Sequence, residues 1–259
     1  MRAMTRFLAL RAFLAFAMLA SAGTSSGAQT LKVLTAGAFK QVVVALVPAF
    51  EASTGMKVEV QNDTAGALAR RIQGGESFDL VFLTTTGLTT LAGEAKVDAA
   101  SVKPLAKVGI GVAVKAGAPQ PSLQTVEQFK DAVLKANKVA YIDPASGGSS
   151  GIYLDGLFQR LGIADAVRAK AVLVPGGYSA EVVANGAAEL AIQQISELLP
   201  VAGTTLVGPL PEAIQNYTTY GGAVATRSEA KVAAMRFLAS FITPESGNVV
   251  RSKGMLPAW

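Results

Sequence analysis

From Leu31 onward, short apolar runs alternate with amphipathic stretches, and Gly, Ser, Thr and Pro punctuate the boundaries. A chain patterned this way is constrained to an α/β architecture, because strands that repeat every two residues are joined by helices that repeat every 3.6. Residues 31–35, 56–60 and 80–83 are expected as strands, with helices over 39–53 and 67–73 between them. Three strands so connected make a parallel sheet whose ligand-facing edge lies at the strands' carboxyl ends. A second set follows, with strands over 138–142 and 171–174 and helices over 126–136, 151–161 and 180–184. Strands over 190–193 and 205–207 and helices over 229–242 and 245–251 complete the expected order.

Two glycine-bearing strands, residues 108–114 (VGIGVAV) and 219–225 (TYGGAVA), bracket the second set and are the natural crossing points between two lobes. Lobe 1 is then discontinuous, residues 29–107 plus 219–259, with lobe 2 over 108–218. Gly109 and Gly111 lack the third glycine and following helix of a dinucleotide fingerprint, so they are read as places of close backbone approach.

Residues 1–28 have the layout of a secretory signal: Arg2, Arg6 and Arg11, an apolar stretch over residues 12–20, then small residues ending at Ala22 or Ala28. The apolar stretch is too short to span a bilayer. Export to the periplasm without membrane insertion is therefore expected, with cleavage after Ala28 favoured because a strand begins three residues later. Cleavage there removes three arginines and no acidic residue. The net charge of +5, from 23 Lys+Arg and 18 Asp+Glu, becomes 20 − 18 = +2. A near-neutral chain with no basic run argues against a nucleic-acid partner.

The sequence contains no His and no Cys. That excludes histidine-based triads, thiolate nucleophiles, Cys/His zinc sites and disulfides. Ser228-Glu229-Ala230-Lys231 matches S-x-x-K, but no SDN or KTG partner accompanies it, and Ser228 is read as a helix N-cap. Tyr217 and Tyr220 raise a ferric-ion reading, yet no carboxylate can be assigned beside them.

Four strand-to-helix junctions are rich in small and hydroxyl residues: 35–38, 63–67, 143–151 and 175–179. A helix N-terminus exposes unpaired N–H groups, and small side chains let an anion approach them. Each junction alone can be read as caps and turns. Four in the same sense, two from each lobe, point to an anion-binding cleft.

The string Leu68-Ala69-Arg70-Arg71-Ile72-Gln73-Gly74-Gly75, then Phe78-Asp79-Leu80-Val81-Phe82, Gly151-Ile152-Tyr153 and Phe241-Ile242-Thr243-Pro244-Glu245-Ser246 resemble the periplasmic molybdate-binding proteins of ABC transporters. The resemblance extends over essentially the whole chain after the leader. It implies the two-lobed type II periplasmic binding protein fold, each lobe a mostly parallel sheet flanked by helices, joined by hinge strands. It also implies a monomer without cofactor or metal and without enzymatic activity. Such a protein captures a small anionic ligand between its lobes and presents it to an ABC permease. A periplasmic sensor that presents to a membrane receptor kinase and a secreted hydrolase are the alternatives.

Carried over residue by residue, the family's ligand positions depart in several places. Ala38 stands where molybdate binders have a serine, and Thr64-Ala65-Gly66-Ala67 replaces a serine run. Gln193 or Gln194 takes the place of a tyrosine, and Tyr178 falls where a backbone amide is used. The expected ligand-binding set is Ala38, Phe39, Thr64, Ala65, Gly66, Thr84, Thr85, Ser146, Ser149, Ser150, Gly151, Tyr178 and Gln194, with Ser196 as a further hydroxyl. Both a molybdate-like oxyanion and a small organic acid suit this set. Arg70 and Arg71 are the only arginines near a cleft loop and are read as a surface pair.

Overall fold

The computed structural model describes residues 30–259; the expected leader, residues 1–28, lies outside them. The chain begins with β1 (Thr30–Ala36), α1 (Gly37–Thr54), β2 (Lys57–Asp63), α2 (Ala65–Gln73), β3 (Leu80–Thr84), α3 (Thr85–Gly93) and β4 (Lys103–Val108). It continues through β5 (Ile110–Lys115), α4 (Val126–Lys135), β6 (Val139–Ile142), α5 (Ser149–Arg160), α6 (Ala164–Arg168) and β7 (Ala171–Val174). Then come α7 (Ser179–Ala184), β8 (Leu190–Gln194), α8 (Ile195–Leu198), β9 (Thr204–Pro209), β10 (Thr218–Val224), α9 (Lys231–Ala239), α10 (Pro244–Ser252) and β11 (Leu256–Pro257).

Two sheets result, one in the order β11-β4-β10-β3-β1-β2 and one in the order β7-β6-β8-β5-β9. β1 pairs in parallel with β2 and β3, and β6 with β7 and β8. β10 and β5, the strands next to the crossings, run antiparallel to their neighbours. β3 and β6 are central and covered on both faces, which is why LVFLT and VAYI read as unbroken apolar runs. β2 is an edge strand and carries the alternating KVEVQND.

Each sheet has its own apolar core. In the first, Phe39, Phe82, Phe237 and Phe241 interlock with ring centroids 4.6–6.4 Å apart. The Phe241-to-Ser246 string is explained by this packing and by the turn after it. Phe241 is fully buried, Pro244 opens α10, and Thr243 and Ser246 cap it reciprocally, at 3.0 and 3.1 Å. The second core is built from Phe129, Phe158, Leu154, Ile192 and their neighbours.

The expected strand over 108–114 is two strands: β4 ends at Val108 in the first sheet, and β5 starts at Ile110 in the second. Gly109 is the single residue between them. The return crossing is held by Gln215, whose Oε1 accepts the Ile110 N–H at 2.8 Å and whose Nε2 donates to the Ile110 carbonyl at 2.9 Å. Replacing Gln215 with alanine strands the N–H of a fully buried residue, while the Ile110 carbonyl keeps the Leu210 N–H at 3.0 Å, at a cost of about 1–3 kcal/mol. The expected result is a lower thermal midpoint by several degrees, read by calorimetry.

Ser228 does not cap α9. Ala230 holds the N-cap position, while the Ser228 hydroxyl donates to Asp79 Oδ1 at 2.6 Å and accepts the Ala230 N–H at 3.0 Å. Among the described residues no helix is long and apolar enough to cross a membrane.

Candidate functional site

The carboxyl ends of β1, β2 and β6 and the first turns of the helices that follow them surround one pocket between the sheets. Gly37 and Ala38 come from the start of α1, Thr64 and Ala65 from α2, and Gly148, Ser149 and Ser150 from α5. These helices have 18, 9 and 12 residues, and their positive dipole ends meet at the pocket, although on α2 the Gly66 N–H is taken by the Gly147 carbonyl and the Ala67 N–H by the Thr64 hydroxyl. Asn62, Asp63, Ile142, Gly177, Gln194, Glu197 and Tyr220 complete the wall of a narrow cavity of about 30 Å³.

Direct contacts hold the lobes together at its rim. The Thr64 hydroxyl donates to the Ser146 carbonyl at 2.6 Å, Arg70 Nη2 to the same carbonyl at 3.2 Å, and the Gly66 N–H to the Gly147 carbonyl at 2.9 Å. On the other side, the Ser196 hydroxyl donates to the Ala38 carbonyl at 2.8 Å, and Gln41 Nε2 to the Tyr178 hydroxyl at 2.8 Å. The lobes are therefore closed, and the pocket is narrow.

Inside, a hydroxyl cluster joins the lobes. Ser149 Oγ and Tyr220 Oη lie 2.9 Å apart, and Gln194 Nε2 donates to Ser149 Oγ at 2.8 Å. Tyr220 is fully buried. Burial pushes its phenol far above the usual tyrosine range, and the nearby Glu197 adds to the shift, so it stays protonated as a donor.

Glu197, in the first turn of α8, is the other buried ionisable group. Burial pushes its carboxyl up to about 8, partly offset by the neighbouring Gln193 carboxamide. Among the described residues no Lys or Arg lies within 4 Å of it. Its neighbour across the lobe boundary is Gly37, where a Cβ would stand 2.5 Å from Glu197 Oε1. Asp63 is held differently: Arg71 Nη1 is 3.5 Å away, and the Thr64 N–H donates to it at 2.8 Å.

Of the residues expected at the site, Ala38, Thr64, Ala65, Ser149, Ser150 and Gln194 line this pocket. The others lie off its wall. Phe39 belongs to the aromatic core, and Gly151 packs against the Ile142 carbonyl. Gly66 and Ser146 serve the lobe contact. Thr84 caps α3 by accepting the Gly87 N–H at 3.2 Å, and Thr85 follows it in that helix. The Tyr178 hydroxyl is taken by Gln41, and Ser196 spends its hydroxyl on Ala38. Of the two glutamines, Gln194 faces the pocket, while Gln193 accepts from the Ser179 N–H and hydroxyl and donates to the Gly177 carbonyl. Arg70 and Arg71 lie at the lobe surface and neither lines the pocket, as expected; Arg70 reaches across to the Ser146 carbonyl and Arg71 pairs with Glu76 at 2.6 Å.

Glu197, Gly37, Asp63 and Tyr220 were not expected at the site from the sequence. Only Gly37 and Asp63 carried a signal, lying within two of the small-residue junctions.

A family model described as "bacterial extracellular solute-binding protein" matches residues 31–256. An aconitate isomerase from Pseudomonas sp is 33% identical over 234 residues, 88% of each chain. The periplasmic molybdate-binding protein of Azotobacter vinelandii superposes with a TM-score of 0.74 at 19% identity, over 87% of this chain and 98% of that one. The sulfate-binding protein of Mycobacterium tuberculosis H37Rv gives 0.70 at 17% identity, over 89% and 87%. These likenesses agree with the two-lobed α/β fold of type II periplasmic binding proteins and with the resemblance drawn from the sequence. The expectation of a chain without enzymatic activity is overturned: a relative this similar over nearly the whole length bears the name of an enzyme.

Proposed function

The chain belongs to the bacterial extracellular solute-binding protein family, and from that premise we propose that it closes its lobes on a small carboxylate of the aconitate type and isomerises it. The observation that carries this reading is the convergence of three helix N-termini from two lobes on one narrow interlobe pocket. Their amides attract carboxylates without a cationic side chain. Gly37, Ala38, Thr64, Ala65, Ser149, Ser150, Gln194 and Tyr220 form the binding wall in this reading, and residues 29–107 plus 219–259 and 108–218 are the closing bodies. The protein acts as a periplasmic monomer after removal of residues 1–28.

A carboxylate suits the pocket better than molybdate does. The serine positions of molybdate binders are Ala38 and the Thr64–Ala67 segment here, so the hydroxyl donors that a tetrahedral oxyanion needs are fewer. Aconitate is a propene tricarboxylate with a methylene at one end and a vinylic CH at the other. Moving one proton between those carbons shifts the double bond and interconverts the cis and trans forms.

Incubating the purified protein with cis-aconitate should raise its thermal midpoint and yield trans-aconitate, followed by proton NMR. Stabilisation without conversion would favour the second reading, capture for an ABC permease, which the family and the closable cleft support. Stabilisation by molybdate or sulfate, with no response to aconitate, would sink the carboxylate assignment.

A further inference from the structure

We propose that Glu197 is the catalytic residue that carries the proton between the two terminal carbons of the substrate; this rests on the isomerase reading above. The placement is unusual for a site meant only to hold an anion. α8 turns the carboxyl into a pocket where three helix ends gather negative charge, with only 8% of the residue exposed. The groups that face it are neutral: the Gln193 carboxamide, the Tyr220 phenol and the backbone of Gly37. Gly37 is the first residue of α1, and only a residue without a Cβ lets Glu197 Oε1 come so close to that helix end.

A permanently ionised carboxylate here would oppose the ligand, whereas one that gains and loses a proton can serve it. Burial holds Glu197 near 8, so both forms are populated near neutral pH, as a general base requires. No other group in the pocket is as well suited. Asp63 is engaged by Arg71 and the Thr64 N–H. Tyr220 stays protonated, and the chain has no histidine or cysteine.

The step balances without an oxidant or a co-reactant. Ionised Glu197 takes a proton from the substrate methylene, breaking one C–H bond and leaving an allylic anion spread over the three carbons and their carboxylates. The amides at the starts of α1 and α5, the positive end of the α2 dipole and the Ser149–Tyr220 hydroxyls face that charge. Protonated Glu197 then delivers the proton to the opposite terminal carbon, and the double bond settles between the central carbon and the former methylene. One C–H bond is broken and one is formed.

The test compares wild type with Glu197→Gln and Glu197→Asp, using cis-aconitate as the probe. Glu197→Gln should lower kcat by about 10²–10⁴-fold and abolish exchange of the methylene protons with D2O, while aconitate still raises the thermal midpoint. Glu197→Asp should keep part of the activity. Wild-type kcat/KM should rise with pH to a half-point near 8, and that limb should move in Glu197→Asp, a change that a merely structural role would not produce. An active Glu197→Gln with the same pH limb overturns the assignment and leaves the isomerase reading standing. Loss of binding together with activity would make Glu197 a ligand contact and overturn its proton-carrying role. A wild-type protein that binds aconitate but neither converts nor exchanges it overturns the isomerase reading, and the assignment falls with it.

Discussion

Unfolding free energy should fall as pH rises from about 5 to 8, and Glu197→Gln should remove that slope. The sign follows from the direction of the shift. Burial raises the folded-state pKa of Glu197 from 4.5 to about 8, so between those values the folded protein holds a proton that the unfolded chain has released. Each pH unit in that window subtracts up to about 1.4 kcal/mol, and the whole window at most about 5 kcal/mol. Below the unfolded value the contribution is fully present, and above about 8 the loss levels off. Glu51, Glu76 and Glu189 have carboxyls held below the usual range, by the Val58 N–H, by Arg71 and by Asn137 respectively. Their contributions are lost as pH falls through their lowered values, so the stability maximum lies in mildly acidic solution. Parting of the lobes hydrates Glu197 and relieves part of the cost, which makes the figure an upper bound. Urea denaturation at pH 5, 6, 7, 8 and 9 measures it: Glu197→Gln should match wild type near pH 5 and exceed it by several kcal/mol at pH 9. Parallel curves for the two proteins would show that Glu197 is ionised throughout and not buried as described.

The sequence made the scaffold legible because its signals are long and repeated. β3 and β6 are near-unbroken apolar runs bounded by turn residues, β1 is interrupted only by Lys32 and Thr35, and α1 and α5 each bury one face along their length. The small-residue junctions at 35–38, 63–67 and 143–151 marked the pocket for a related reason: helix ends must be capped, and where small residues cap them a ligand can approach. The same signal misled at Ser146 and Tyr178, because a hydroxyl at a junction serves equally well as a cap, a turn or a lobe contact. Glu197 was hidden for want of length. α8 spans four residues, too few for a helical period, and Leu190–Gln194 before it reads as a strand that simply ends. Tyr220 was placed in a crossing strand, where nothing local says which lobe's cleft its hydroxyl enters. Both residues acquire their chemistry from partners far away in the chain, Gly37 for Glu197 and Ser149 for Tyr220. Such pairings exist only once the lobes have closed.

On the aconitate reading proposed above, Gly66→Val should hold the lobes apart and weaken aconitate binding by about 100-fold while leaving the unliganded fold nearly as stable as before. The contact is backbone on backbone: a Cβ at residue 66 would stand 2.8 Å from Gly147 Cα, 3.1 Å from its carbonyl oxygen and 3.3 Å from its carbonyl carbon. Gly147 cannot easily move aside, since its φ of +83° is a left-handed conformation closing the turn after Pro144–Ser146. The three closest atoms all belong to Gly147 of the other lobe, so this clash is relieved when the lobes part. In the closed form it removes the Gly66–Gly147 hydrogen bond and strains those from Thr64 and Arg70 to Ser146, which lie beside it. Overpacking of this kind costs about 3 kcal/mol at its upper range, or about 100-fold in apparent affinity when the ligand binds only the closed form. Titration calorimetry with aconitate reads the affinity, and small-angle scattering of the unliganded protein reads the shape. The variant should be larger than wild type in solution and should bind more weakly. Equal scattering and equal affinity would mean that the Gly66–Gly147 contact does not govern closure, and that Ser196–Ala38 and Gln41–Tyr178 suffice to hold the lobes together.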